Sequence, residues 1–210
     1  MVILKWTIVV EVVVFLGLLA VYCWWDSSPA VSEAPPDEPG VAEIPQRWTD
    51  EPLGALGEPA IIVQKSTRLL TVLDRCKPVK TYRITVGNNL QDKRIEGDLC
   101  TPEGEFYICT KQGPGKTRFY RSFGLSYPNI EDAERGLADG TITQSHHDSI
   151  TRAIQAGQQP PWKTPLGGEI MIHGCKNGRA GTLGCVALDN ADMLELFSVL
   201  QIDTPVKIIP

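Results

Sequence analysis

The hydrophobic positions of the chain first form one long, almost uninterrupted run. Residues 7–25 read TIVVEVVVFLGLLAVYCWW, nineteen residues with a single charge. A helix of that length, rising about 1.5 Å per residue, crosses the hydrocarbon core of a bilayer. Lys5 precedes the run and only acidic residues follow it closely, so the positive-inside bias predicts that the C-terminal bulk lies outside the cytoplasm. We predict a cytoplasmic N-terminus, residues 1–6, followed by a single-pass membrane anchor.

A cleaved signal peptide is the alternative for this run. The run is long for a signal peptide, no small-x-small site follows it directly, and the candidate site at Ser32-Glu33-Ala34 precedes Pro35. Cys23 suggests a lipoprotein, but Tyr22 stands where a small residue precedes a lipidated cysteine. These flanking residues favour an uncleaved anchor.

The stretch that follows the run, residues 26–59, has no regular hydrophobic pattern. It holds seven prolines, eight acidic side chains and one basic side chain, with few large apolar residues. Such a composition does not bury enough apolar surface to fold. We predict a disordered linker whose extended form reaches up to about 100 Å.

Beyond the linker the hydrophobic positions form short β-type runs separated by turn residues. The runs AIIVQ, RLLTVLD, PVKTYRITV and GEFYICT predict a β-meander. Between residues 131 and 157 the spacing predicts one or two inserted helices, whose buried face comprises Ala133, Leu137, Ile150, Ile154 and Ala156. A strand at GEIMIHG and a last strand at PVKII flank a short helix capped by Asn190, with an apolar stripe of Met193, Leu194, Phe197 and Leu200. We predict one mainly β domain over residues 60–210.

The distribution of charge narrows the classes of partner. Residues 1–59 hold two basic and nine acidic side chains, a balance of −7, whereas residues 60–210 hold eighteen basic and sixteen acidic ones, a balance of +2. A domain so close to neutrality lacks the basic face that meets nucleic-acid phosphates. We expect no nucleic-acid partner.

Two residues near the C-terminus suggest nucleophilic chemistry. His173 ends an apolar strand before Gly174, and Cys185 follows Gly184 twelve residues later. An imidazolium beside a thiol lowers its pKa from about 8.5 and creates a nucleophile. A glycine before the cysteine lets the backbone turn and present N–H groups to a developing oxyanion. The spacing by itself is a weak signal.

The residues around this pair carry a more specific signal. The stretch from Ile172 to Leu188 resembles the active-site signature of the L,D-transpeptidases, whose catalytic domain is named YkuD. Further blocks resemble that family in the family order: Glu96-Gly97-Asp98, Thr101-Pro102-Glu103-Gly104, Ser126-Tyr127-Pro128-Asn129 and Thr164-Pro165-Leu166-Gly167-Gly168. The resemblance covers nearly all of residues 60–210 and implies a β-sandwich or barrel with inserted helices.

The resemblance implies a role for each residue of the pair. Cys185 matches the nucleophile that attacks the carbonyl between the third residue of a peptidoglycan stem peptide and its terminal D-alanine. His173 matches the base, oriented by a carbonyl of the His173-Gly174 loop, while N–H groups near Gly184 and Cys185 form the oxyanion hole. No cofactor is implied. The acceptor amine stays open between another stem peptide, a free D-amino acid and an envelope protein, and the expected location is the periplasmic face of the bacterial inner membrane.

Two positions depart from the pattern of many family members. Leu183 stands where a second histidine precedes the Gly-Cys pair, and Ala187 stands where an arginine or asparagine follows it. Both departures match one branch of the family, but they leave the anchoring of substrate carboxylates open. The candidate substrate-binding residues are Thr182, Arg179 and Tyr127, with Lys176 and Arg121 as further candidate cations.

The remaining cysteines and histidines have structural alternatives. Cys185 can be a buried hydrophobe or half of a disulfide. Cys175 can form a redox lock with it, but a free thiol or a bond to another cysteine is favoured. We interpret Cys76, Cys100 and Cys109 as structural, with Cys100 and Cys109 bridging two arms around a turn at residues 101–104.

His146 and His147 are expected to be surface residues rather than metal ligands. A zinc site built from Cys175, Cys185 and His173 lacks the usual ligand spacing.

Three functions remain open for such a domain. The first is transpeptidation onto an acceptor amine. The second is hydrolysis by a related thiol enzyme, in which water replaces the amine to trim D-alanine or release a lipoprotein from the wall. The third is a wall-binding scaffold without activity, although the presence of both Cys185 and His173 argues against it.

Overall fold

The computed structural model describes residues 49–174 and 181–210. Within these two segments, no helix is both long and apolar enough to cross a membrane. The predicted anchor, residues 7–25, and all but the end of the predicted linker lie outside the described residues.

Eight strands form the framework of the domain. Their bounds are β1 Pro59–Gln64, β2 Leu69–Asp74, β3 Lys77–Arg83, β4 Gly104–Gln112, β5 Ser122–Leu125, β6 Met171–His173, β7 Val186–Ala187 and β8 Pro205–Ile209. β1, β2 and β3 form the antiparallel meander that the sequence predicts. In β1, Ile61 and Val63 are buried whereas Ile62 and Gln64 are only partly so, the period of two expected for a half-buried strand.

The strands form one curled sheet in the order β3-β2-β1-β8-β4-β5-β6-β7. The last strand, β8, lies between β1 and β4, parallel to β1 and antiparallel to β4. The two ends of this order meet, because Thr85, just after β3, exchanges two backbone hydrogen bonds of 2.9 and 2.8 Å with Ala187 of β7. This contact joins the start of the sheet to the strand beside His173.

In the described part of the chain, three helices accompany the sheet: α1 Ile130–Ala138, α2 Gln144–Gln155 and α3 Asn190–Val199. α1 and α2 confirm the predicted insertion and pack around a small buried cluster of Ala133, Ile142, Ile150 and Leu166, with Leu137 and Ile154 partly buried against it. Ala156 is exposed at the end of α2, so its predicted place in the buried face is wrong.

α3 covers the main core, but two details of its prediction are wrong. Asn190 is the first helical residue, and Asp189 occupies the N-cap position. Leu194 is exposed, while Leu196 is buried beside Met193. Met193, Leu196, Phe197 and Leu200 recur at three- and four-residue spacing on one face of the helix, whereas Leu194 lies beside that face.

The predicted bridge between Cys100 and Cys109 is wrong. Cys76, Cys100, Cys109 and Cys185 are all free, and Cys76 is exposed. Cys109 lies within the extended strand β4, whereas Cys100 precedes that strand and pairs with Asn89 in an isolated β-bridge. The Cys100 thiol is directed to the Asp98 carbonyl and the Cys109 thiol to the Gly124 carbonyl.

The two adjacent histidines lie in the first turn of α2. His146 completes a capping box with Thr143, and His147 contacts the carboxylate of Asp148 at 3.1 Å. No group of three or more potential ligands that could hold a metal ion occurs in the described part of the chain.

Candidate active site

His173 and Cys185 are brought together by two adjacent parallel strands. In the pairing of β6 with β7, Ile172 lies beside Val186 and His173 beside Ala187. The same register extended back by one residue sets Cys185 beside Met171. Because side chains alternate between the faces of a sheet, His173 and Cys185 lie on the same face, displaced by one diagonal step. The topology therefore joins the two residues that the sequence singled out.

The His173 ring is fixed by one polar contact and one aromatic contact. The side chain is buried, and its Nδ1 lies 2.5 Å from the carbonyl oxygen of Gly174. Since a carbonyl only accepts, Nδ1 carries the hydrogen and Nε2 is left free to accept a proton. Phe119 covers one face of the ring, with 3.6 Å between centroids and 11° between planes. Sequence reasoning anticipated the carbonyl but not Phe119.

The backbone before Cys185 has a conformation that requires glycine. Gly184 has a φ of 133°, and a Cβ there would lie 2.7 Å from the carbonyl oxygen of Cys100. The Gly184 carbonyl accepts a hydrogen bond of 2.9 Å from the Thr101 hydroxyl. This close packing sets the direction in which the chain enters Cys185, whose thiol points to the carbonyl oxygen of Glu169 at 3.7 Å.

Thr182 holds the cysteine loop through its hydroxyl group. Oγ1 donates to the carbonyl of Cys185 at 2.6 Å and accepts from the N–H of Gly184 at 3.1 Å. The Thr182 backbone is tied to Val86 by a further hydrogen bond of 2.9 Å. The Gly184 N–H is therefore directed to Thr182 in this arrangement, and Cys185 N–H donates to no acceptor among the described residues.

Burial controls the protonation states of the pair. It raises the pKa of the Cys185 thiol above its ordinary value, against a hydrogen bond from the Met171 backbone. It also lowers the pKa of His173, against the contact with the Gly174 carbonyl. Both shifts favour neutral groups. The direction of the thiol shift is opposite to the lowering that the sequence predicts.

The other predicted site residues have different surroundings. Tyr127 is fully buried, and its hydroxyl donates to the Leu166 carbonyl at 2.9 Å, so its side chain belongs to the core. The Gly174 N–H donates to the Arg121 carbonyl. The Arg121 guanidinium packs on aromatic rings, 4.4 Å from that of Tyr120. Three of the candidates lie outside the described residues: Arg179, Lys176 and Cys175. The alternative zinc site includes Cys175 and therefore lies outside them as well.

The structure adds charged residues that the sequence reasoning missed. Arg118 lies 5.0 Å from the ring centroid of Phe119, which itself stacks on His173. Glu169 contacts the Cys185 thiol through its carbonyl. The adjacent cation and aromatic ring of Arg118 and Phe119 could have suggested a site residue from the sequence. Nothing in the sequence near Glu169 suggested a place at the site.

The comparisons with known proteins agree with this geometry. The family model for the YkuD L,D-transpeptidase catalytic domain matches residues 58–208. No curated protein matches the chain. Among solved structures, the helical cell shape determining protein Pgp2 from Campylobacter jejuni is 27% identical with a TM-score of 0.50, over 75% of this chain and 50% of that one.

A second structure shows the same fold. Bd1075 from Bdellovibrio bacteriovorus is 21% identical with a TM-score of 0.50, over 73% of this chain and 48% of that one. The chain thus spans about half the length of both proteins.

Proposed function

The chain belongs to the YkuD family of L,D-transpeptidase catalytic domains, and we propose that it is a peptidoglycan L,D-transpeptidase with Cys185 as nucleophile and His173 as base. One observation carries the assignment of residues. Parallel strands set the two side chains on one face, and the Gly174 carbonyl fixes the tautomer in which Nε2 of His173 is a proton acceptor.

The first half-reaction forms a thioester. Nε2 of His173 takes the proton of the Cys185 thiol while Sγ attacks the carbonyl carbon of the third stem residue. The tetrahedral intermediate places its negative oxygen near the N–H of Cys185, the proposed oxyanion donor. Its collapse breaks the bond to D-alanine, whose nitrogen receives the proton from the imidazolium. The products are D-alanine and an acyl-enzyme.

The second half-reaction transfers the acyl group. An acceptor amine attacks the thioester, His173 takes a proton from that amine, and the Cys185 sulfur leaves and recovers its proton. The net result is one new amide bond and a regenerated thiol. Burial lowers the pKa of His173, which favours the unprotonated imidazole that this route requires as base in both half-reactions.

We also propose that residues 7–25 anchor the domain at the extracytoplasmic face of the inner membrane. The charges flanking the apolar run support that orientation. The polymer lies at this face, and a linker over residues 26–59 gives the domain reach toward it. Protection of the C-terminus from protease in intact spheroplasts would contradict the proposed topology.

The activity is tested by incubating the full-length chain, in detergent, with disaccharide-tetrapeptides and analysing the products by mass spectrometry. Dimers that have lost one D-alanine are expected. Tripeptide monomers without dimers would instead favour the hydrolase, and no product under reducing conditions would overturn both enzymatic functions. Cys185→Ala is expected to abolish turnover, whereas Cys76→Ala, at an exposed free cysteine, is the matched control and is expected to retain it.

A further inference from the structure

Thr101 contacts the cysteine loop from a segment 83 positions earlier in the chain. Its side chain is fully buried, and its hydroxyl donates a hydrogen bond of 2.9 Å to the Gly184 carbonyl. The same oxygen accepts a hydrogen bond of 2.8 Å from the Gly87 N–H. Because a hydroxyl has a single hydrogen and the Gly87 N–H only donates, that hydrogen is left for the Gly184 carbonyl. The two partners therefore fix the direction of the Thr101 hydroxyl.

Gly87 belongs to a segment that is itself paired with the cysteine loop. Val86 accepts a hydrogen bond of 2.9 Å from the Thr182 N–H, and the Asn88 N–H donates one of 3.1 Å to the Thr182 carbonyl. A Cβ on Gly87 would lie 2.8 Å from the backbone nitrogen of Thr101, so glycine is needed for this close approach. The Thr101 hydroxyl thus bridges this segment and the cysteine loop.

The backbone of Thr101 is held by a buried lysine. Lys65 follows β1 directly, and its buried ammonium donates to the Thr101 carbonyl at 3.1 Å and to the Gln91 carbonyl at 3.0 Å. It also pairs with the Glu103 carboxylate at 2.6 Å. Since a buried charge is destabilised when it loses a partner, these contacts restrain the segment that carries Thr101. The hydroxyl is therefore presented to the cysteine loop from an anchored support.

The Gly184 carbonyl and the Cys185 N–H belong to one peptide group. A peptide group is planar, and in the trans form its carbonyl oxygen and its amide hydrogen point in opposite directions. A contact that fixes the carbonyl therefore also fixes where the N–H points. The Cys185 N–H is the oxyanion donor of the proposed reaction, so Thr101 holds the far end of the donor's own peptide group.

Thr182 holds the two neighbouring peptide groups. Its hydroxyl accepts from the Gly184 N–H, in the group before, and donates to the Cys185 carbonyl, in the group after. The group between them is held by Thr101. The two threonine hydroxyls thus hold three consecutive peptide groups, and the one held by Thr101 carries the oxyanion donor.

We propose that Thr101 is a positioning residue for the oxyanion donor, because its hydroxyl fixes the peptide group whose N–H meets the negative oxygen. This proposal deepens the proposed function and rests on it for the reaction that the N–H serves. Without the hydroxyl the peptide group is free to turn, and the N–H no longer meets the oxygen as charge develops on it. The Cys185 sulfur lies outside this peptide group, so its own nucleophilicity is expected to stay nearly the same.

Thr101→Val keeps the shape of the side chain and removes the hydroxyl. In the full-length chain, thioester formation from a disaccharide-tetrapeptide is expected to slow roughly 10- to 100-fold, less than the roughly 100- to 1,000-fold that loss of an oxyanion donor itself costs. The loss is expected in kcat with KM nearly unchanged, because the N–H acts on the transition state. Thr101→Ser retains the hydroxyl and is expected to keep the original rate.

Two small reagents for Cys185 separate this role from general damage to the loop. An aryl acetate acylates the thiol through a negative oxygen, whereas iodoacetamide alkylates it at a saturated carbon, where no such oxygen forms. Both reactions are followed at Cys185 by mass spectrometry of its proteolytic peptide. Thr101→Val is expected to slow acylation and to leave alkylation nearly unchanged. Equal slowing of both reactions, or no slowing of either, would overturn the proposal.

Thr81→Val is the matched control for loss of a buried hydroxyl. Thr81 is buried on β3, and its hydroxyl lies 3.2 Å from that of Thr71. Its replacement is expected to lower Tm without changing the ratio of acylation to alkylation at Cys185. Thr101→Ala makes the same comparison where valine prevents folding, because the smaller side chain gives water access to the two orphaned groups.

The acetate reaction does not depend on the identity of the natural substrate, so the two proposals fail separately. Selective slowing of acylation in Thr101→Val, without D-alanine release by the unaltered chain, would retain the role of Thr101 and overturn the transpeptidase. D-alanine release by Thr101→Val at the original rate would overturn the role of Thr101 and leave the transpeptidase standing.

Discussion

Replacing Thr182 by valine tests how much the reactivity of Cys185 depends on the loop that carries it. Valine keeps the shape of threonine but lacks the hydroxyl that donates to the Cys185 carbonyl at 2.6 Å and accepts from the Gly184 N–H at 3.1 Å. One substitution therefore removes two hydrogen bonds and leaves one donor and one acceptor unpaired. Thr182 is a positioning residue in this scheme, because its hydroxyl acts through the backbone of Cys185.

The burial of the two orphaned groups sets the magnitude. Gly184 is buried, so its N–H loses about 1–3 kcal/mol when unpaired, whereas the half-buried Cys185 carbonyl regains water and loses about 0.5–1 kcal/mol. The loop is destabilised by roughly 1.5–4 kcal/mol before relaxation. With partial relaxation we expect Tm to fall by about 4–8 °C. Thioester formation is expected to slow roughly 10- to 100-fold, since 1.4 kcal/mol corresponds to a factor of ten.

The assay is single-turnover acylation of the full-length chain, followed as D-alanine release and as the mass of the acyl-enzyme. Thr182→Ser retains the hydroxyl and is expected to acylate at nearly the original rate. Thr67→Val removes an exposed hydroxyl elsewhere and controls for the general effect of valine. If Thr182→Val kept the original acylation rate and the original Tm, the inference that this hydroxyl holds the nucleophile would be refuted.

Two further predictions concern pH and buried charge. Because burial lowers the pKa of His173, we expect the acidic limb of the kcat/KM profile below pH 6.5. We also expect stability to fall as the pH drops from 6.5 through the folded pKa, because the unfolded chain then binds more protons. An acidic limb above pH 7 would contradict this prediction. Lys65 is buried and binds Glu103 at 2.6 Å and the carbonyls of Gln91 and Thr101, so Lys65→Met is expected to cost about 3–5 kcal/mol in denaturant unfolding. Lys207→Met, at an exposed ion pair, is the control and is expected to change the free energy of unfolding by less than about 1 kcal/mol. Equal losses in the two variants would contradict the prediction.

The sequence predicted the parts of the fold that depend on local pattern. Alternating burial marks β1, and the helical spacing marks α1 and α2. The placement of β8 between β1 and β4 was not predictable in this way, because it joins residues about a hundred or more positions apart in the chain. The contact of Thr85 with Ala187 is equally remote, and it is the contact that brings the two ends of the sheet together.

In the candidate site too, the residues that depend on a local motif were predictable and those that depend on long-range contacts were not. His173, Gly174 and Cys185 follow from a motif, since their spacing is local. The stacking of Phe119 on His173 and the contact of Glu169 with Cys185 arise from segments that only the folded sheet brings together. The raised pKa of the Cys185 thiol was not foreseen either, because spacing indicates a neighbouring base but not the surroundings of the sulfur.

The charges around Cys185 act in opposite directions on its thiol. Arg118 acts to lower the pKa of the thiol and Glu169 acts to raise it, while burial makes the largest contribution and raises it. A raised thiol pKa favours a route in which the proton passes to Nε2 of His173 as Sγ attacks. The hydrogen bond from Nδ1 to the Gly174 carbonyl is then the contact that keeps the base in its reactive tautomer.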